Sequence, residues 1–125
     1  MMTEDLIRIE KFPEGTSKMQ VLLETAVQLN KDLGAEWIRV EKIPIDADAN
    51  WLFNETKLLI SELFNSEKSK LAQLLYRVDV SEREVKIVMQ TAEINNLADQ
   101  LAVMLVKREV QKVLFRLKIK SGTGI

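Results

Sequence analysis

Apolar residues along this chain recur at helical spacing in three blocks, separated by polar capping residues. In the first block Met19, Leu22, Ala26, Leu29 and Leu33 follow at intervals of 3, 4, 3 and 4. That spacing puts all five on one side of an α-helix, and Leu23 and Val27 widen the stripe. Ser17 and Gln20 form a capping box ahead of it, with Gln20 placed to reach back to the Ser17 N–H. Gly34, just past the last apolar position, tolerates a left-handed C-cap. The pattern predicts a helix over 17–33.

In the second block Leu52, Thr56, Leu59, Leu63 and Phe64 lie on one side, with Asn50 or Asn54 available as the cap. Leu71, Leu74, Leu75 and Val78 resume the stripe after a polar string at 65–70. One helix over 52–77 is predicted, kinked or broken near 65–67. The segments before it are less regular. Ile38 and Val40 alternate with Arg39 and Glu41 and then meet Pro44, which fits a short strand or an extended loop equally well. Residues 3–12 are ambiguous in the same way. Leu6, Ile9 and Phe12 fit a short helix, Ile7 and Ile9 fit a strand, and Pro13-Glu14-Gly15 ends the element.

The third block, 81–120, contains no glycine and no proline. Ser81 and Glu84 form a second capping box, and acidic residues in the first turn suit the helix dipole. Val85, Val88 and Ala92 continue the pattern, and Asn95-Asn96 is the expected interruption. From 101 to 106 the chain is apolar on every side, which describes a central helix. Beyond it the stripe narrows to Val110, Val113, Leu114 and Leu117. Residues 116–120 also alternate, so a terminal strand competes with the helix there. The stripe drifts out of any strict heptad, which favours a compact bundle over an extended coiled coil.

The fold class predicted is all-α: a bundle of three to five helices, built as one domain over 1–120 with a flexible tail at 121–125. The alternative is α+β, with a small sheet from residues 6–12, 37–43 and 115–120. Four glycines and two prolines in 125 residues are few for the many tight turns of an all-β protein.

Composition narrows the chemistry. The chain has no cysteine and no histidine, which removes thiolate chemistry and the usual general acid–base and transition-metal ligand. An enzyme built on this chain would have to use carboxylates, Lys, Tyr, Ser or Thr, or a hard cation held by oxygens. Asp46, Asp48 and Asn50 resemble the first half of a calcium loop, but Trp51 stands where the turn needs glycine and Lys57 where the bidentate glutamate belongs. A polar loop capping a helix accounts for them better. The helical acids Glu24, Glu62, Glu93 and Asp99 lie off the apolar stripes, as solvated faces do. Arg77 and Asp79 are spaced for a local ion pair. Trp37, Trp51, Phe53, Phe64, Tyr76 and Phe115 are expected in the core, with an exposed anchor for a partner as the second reading of Trp51 beside Phe53. Nothing at 122–124 sits between a strand and a helix, as a phosphate loop requires. No catalytic residue, cofactor or metal ligand is assigned.

Charge changes the picture only at the end of the chain. Residues 1–60 carry 7 basic and 11 acidic side chains, whereas residues 107–125 carry 6 basic and 1 acidic. Arg108, Lys112, Arg116 and Lys120 recur every fourth residue and form a helical stripe about 18 Å long at ~1.5 Å per residue. Such a stripe is a candidate site for an acidic protein partner, nucleic-acid phosphates or an anionic membrane surface. Two plainer roles compete with it: compensation of the helix dipole, and pairing with the acidic N-terminal half of the same chain. The functional expectation is a non-catalytic interaction or structural protein that self-associates. An anion binder using the stripe is the alternative, and a carboxylate or divalent-metal enzyme the third. The acidic start and the short apolar runs fit neither a signal peptide nor a membrane span, so a soluble, cytoplasmic protein is expected.

Overall fold

The computed structural model describes residues 15–120. They form five α-helices: α1 (Lys18–Leu33), α2 (Ala49–Ser66), α3 (Lys68–Val78), α4 (Glu82–Thr91) and α5 (Ile94–Lys120), with a single 3-10 turn at Val40–Lys42 before α2. The all-α bundle is the observed fold. Expectations for residues 3–12 and for the tail at 121–125 lie outside the described residues.

Caps set most of the helix boundaries. The Ser17 hydroxyl accepts the Gln20 N–H at 3.0 Å, and the Ser81 hydroxyl accepts the Glu84 N–H at 3.2 Å. Gly34 closes α1 at φ 77, a conformation that favours a residue without Cβ. The cap of α2 is Asp48, which accepts the Trp51 N–H at 3.0 Å, so this helix starts earlier than 52 and uses neither Asn50 nor Asn54 as its cap. The predicted break near 65–67 falls at Glu67, whose φ −145 and ψ 67 divide α2 from α3.

Three expectations are corrected. Residues 37–43 form no strand. The Asn30 side chain accepts the Trp37 and Ile38 N–H groups at 3.0 Å each and donates to the Ile38 carbonyl at 2.7 Å. These backbone groups, which a sheet would pair, are held by a side chain instead. Residues 115–120 are the last turns of α5, not a strand, because Leu114 and Leu117 keep the helical stripe buried almost to its end. The interruption in the C-terminal third falls at Ala92 and Glu93, ahead of Asn95-Asn96. Just before it the Thr91 hydroxyl bonds back to the Ile87 carbonyl at 2.6 Å, a contact that tends to bend a helix.

The core has one centre. Leu101, Ala102, Leu105, Val106, Val110, Val113 and Leu114 of α5 are buried with Val21, Leu22, Ala26 and Leu29 of α1, Leu52, Leu59 and Ile60 of α2, and Leu71, Leu74 and Val78 of α3. Helix α5 touches all four other helices, as its apolar middle predicts. Trp37, Trp51, Phe53 and Phe64 are half-buried against this core, whereas Tyr76 and Phe115, expected in it, stand exposed because they lie off the buried faces of α3 and α5. Helix α4 is different: it packs on α5 alone and buries no residue.

Candidate functional site

The basic stripe runs along the seam between α5 and two of its neighbours. Helices α1 and α5 run in opposite senses, so the acidic and amide side chains of α1 meet the basic ones of α5 in reverse order. Arg116 Nη1 donates to Gln28 Oε1 at 2.7 Å, and its Nη2 lies 3.7 Å from Glu24 Oε2. One turn back, Lys112 Nζ donates to Asp32 Oδ2 at 2.7 Å. It also donates to the carbonyls of Arg77 at 3.3 Å and Val78 at 3.5 Å. Those carbonyls belong to the end of α3, where backbone acceptors lack helical partners and a cation is favoured by the dipole. Arg108 forks onto Asp79, with Nε to the carbonyl and Nη2 to Oδ2, both at 3.2 Å. Asp79 therefore pairs with Arg108, not with Arg77, which reaches instead to the Asp32 carbonyl at 3.4 Å. The fourth member of the stripe, Lys120, is exposed at the end of α5.

At the centre of this seam is a group that the charge pattern does not reveal. Glu109 is fully buried (0 % exposed) on α5. Lys112 Nζ lies 3.1 Å from its Oε1, yet neither carboxyl oxygen has a well-aligned hydrogen-bond donor. An ionised carboxylate so placed is costly. Burial pushes the Glu109 carboxyl up to about 8; the neighbouring Asp32 adds to the rise and Lys112 opposes it. At neutral pH Glu109 is therefore a carboxylic acid that donates to the Asp32 carboxylate. Burial works to raise Asp32 as well, but hydrogen bonds from Glu109, Lys112 and Gln28 outweigh it and hold Asp32 below its usual range. Burial likewise disfavours the Lys112 charge, and the two acids outweigh it, so its pKa is raised. Gln28 completes the chain by donating to Asp32 Oδ1 at 3.2 Å. The result is a connected network, Arg116–Gln28–Asp32–Lys112–Glu109, whose innermost triad carries no net charge at pH 7.

A perturbed carboxyl is often a catalytic group, but a general acid must reach its substrate. Glu109 is closed off on all sides, and none of the triad lines the groove described next. Among the described residues no three acidic side chains converge as a metal site. Glu24 pairs with Arg116 and Asp99 with Lys57 at 3.0 Å, so these two helical acids sit in separate ion pairs. The Asp48 carboxylate of the calcium-loop resemblance is occupied as a helix cap.

The open feature of the molecule lies on another side. Helices α3 and α4 splay apart across the turn at 79–81 and leave a groove of about 370 Å³ between them. Its walls are apolar: Phe64 at the end of α2, Leu71 and Leu75 on α3, Val80 in the turn, and Val85 and Met89 on α4. Lys68, Asp79, Glu82 and Lys86 edge it. Met89 is 48 % exposed and Tyr76, on the α3 lip, is 79 % exposed. The sequence places Val85 and Val88 on one stripe of α4, and that stripe gives no sign that Met89 would be left uncovered beside it.

No family model, no curated protein and no solved structure matches the chain. No helix among the described residues is long and apolar enough to cross a membrane.

Proposed function

We propose that this chain is a non-catalytic protein-interaction module that self-associates, working as a soluble cytoplasmic protein. One observation carries the reading. Helix α4 is held on one side only and, with α3, presents an apolar groove edged by charged residues. Contiguous exposed apolar surface with a polar rim is the ordinary form of a protein-binding surface. A helix that half-buries Val85 and Val88 on one side and leaves Met89 open on the other gains most by burying its free face against another protein.

The alternative, an anion binder using Arg108, Lys112, Arg116 and Lys120, draws less support, because three of the four side chains already have partners within the chain. Phosphates or headgroups would have to displace those contacts. Light scattering across a wide range of protein concentration tests the first reading. Mass above the monomer that rises with concentration and persists at high salt is expected, since apolar burial is not screened. A constant monomer mass removes it. Tight retention on an anionic matrix, lost with salt, would move the balance to the second reading.

A further inference from the structure

We infer that the groove between α3 and α4 is covered by α4 of a second copy, in a two-fold dimer that sets Glu82 of each chain opposite the partner's Lys86. The inference rests on the self-association reading and deepens it by naming the surface and the register.

Two observations select a second copy over an unrelated protein. The first is charge. The groove edge carries two cations, Lys68 and Lys86, and two anions, Asp79 and Glu82. Asp79 is already held by Arg108, which leaves Glu82 and Lys86, one acid and one base on the same helix, and a surface that pairs with itself about a two-fold axis must be its own complement in this way. A strongly acidic or strongly basic target would meet like charge on this edge. Glu82 and Lys86 are exposed, and neither has an ion partner among the described residues. They are four residues apart on one helix face. In an antiparallel α4 pair centred at position 84, each Glu82 therefore falls beside the partner's Lys86, and each Lys86 beside the partner's Glu82.

The second is shape. Helix α4 has 10 residues and α3 has 11, about 15 and 16 Å at ~1.5 Å per residue, so a second α4 laid along the groove matches its length and can seat one apolar face in it. The same centring carries Met89 past the axis to the partner's turn at 79–81, level with Asp79 and next to Val80, an apolar wall of the groove. The two α4 helices then lie side by side about the axis, each over the groove of the other copy. Each groove is closed by the helix that the monomer leaves uncovered, which a symmetric interface achieves with a single patch.

The test uses charge reversal and crosslinking in the full chain. Glu82→Lys and Lys86→Glu should each raise the dimer dissociation constant at least tenfold, and the double variant Glu82→Lys/Lys86→Glu should restore it to near the wild-type value. Both positions are solvent-exposed in the monomer, so a simple folding defect would show as a changed circular dichroism melt and would not be rescued by the swap. The native chain has no cysteine, so introduced thiols report single contacts. Oxidising a mixture of Val80→Cys and Met89→Cys proteins should give a disulfide-linked pair faster than a mixture of Phe115→Cys and Met89→Cys, because Phe115 lies on α5 outside the groove. A wild-type dimer whose single reversals are harmless, or whose double variant stays weak, overturns the register. Faster crosslinking through Phe115 overturns the surface while leaving self-association standing. A wild-type monomer at every concentration overturns both.

Discussion

The α1–α5 seam and the α3–α4 groove invert the usual relation between residue type and exposure. In the seam a fully buried glutamate sits beside a part-buried lysine and aspartate, each held by the others. In the groove methionine and tyrosine side chains stand in the open. The seam teaches that charge on a helix face need not be a surface for partners: Arg108, Lys112 and Arg116 hold α5 to its own chain. The groove teaches that an amphipathic helix need not be finished by the fold that carries it. One region is closed and matters for stability; the other is open and matters for association. Substitutions should separate them cleanly.

The largest effect is expected at Lys112. Lys112→Met keeps most of the side-chain volume but leaves Asp32 ionised without its cation and the last carbonyls of α3 without a donor. Removing one partner of a fully buried charged pair costs about 3–5 kcal/mol, and this part-buried pair belongs at the lower end, about 3 kcal/mol. Denaturant unfolding should read this as a lower midpoint with little change in slope. A loss below ~1 kcal/mol would mean that the seam is a weak surface pairing after all.

The same network makes stability depend on pH. Glu109 has a raised pKa in the folded protein, about 8 against 4.5. Between those values the folded protein holds a proton that the unfolded chain has released, so stability falls as pH rises. The drop from pH 5 to pH 8 should be on the order of 2–4 kcal/mol, at about 1.4 kcal/mol per pKa unit. Asp32, whose folded pKa is lowered, adds nothing to this slope, because its contribution is lost only on acidification through its usual carboxylate range. Glu109→Gln keeps a donor toward Asp32 and cannot ionise. Its unfolding free energy should be nearly flat over that range and should exceed the wild type at pH 8. A wild-type profile that is flat or rises from pH 5 to pH 8 would contradict a protonated Glu109.

Asn30 supports the same end of α1 by a neutral route. Asn30→Ala frees the Trp37 and Ile38 N–H groups and the Ile38 carbonyl, three bonds in a part-buried setting. At about 1 kcal/mol for each hydrogen bond lost, partly recovered by water, the cost is about 2 kcal/mol. Amide exchange should speed up at Trp37 and Ile38 before it does in the helices.

How far these regions can be read from sequence follows from the range of the interactions involved. Ser17, Ser81 and Gly34 act on backbone groups within four residues, so the chain itself spells out their role. The stripes of α1, α2, α3 and α5 are equally local, and they yield the bundle. Of the two readings at 37–43, strand and loop, the strand fails because Asn30, seven residues before Trp37, supplies what a sheet would. The cap of α2 is misplaced by two residues because Asp48 and Asn50 are equally good cappers and only tertiary packing chooses between them. For Glu109 a signal was present. It sits three residues after Val106 and four before Val113, so a charged residue occupies the buried stripe itself. Its partner Asp32 is 77 positions away in the chain (109 − 32 = 77), and no local pattern names it. The groove is harder still, because it depends on the angle between α3 and α4 at a turn with no glycine or proline.

The smallest expected effect on stability falls on the open side, and it discriminates most sharply between the two regions. Met89→Lys removes an apolar wall of the groove at a position already half open to water. The monomer loses little packing, so its unfolding free energy should change by no more than ~0.5 kcal/mol, as at other surface positions. If the groove is where copies meet, the same change buries a charge without a partner and should abolish association, seen as a monomer mass by light scattering at concentrations where the wild type is larger. Lys112→Met should do the reverse, weakening the fold while leaving association per folded molecule intact. Should Met89→Lys unfold the protein as severely as Lys112→Met does, α4 would be part of the closed core, and the division between a finished seam and an unfinished groove would fail.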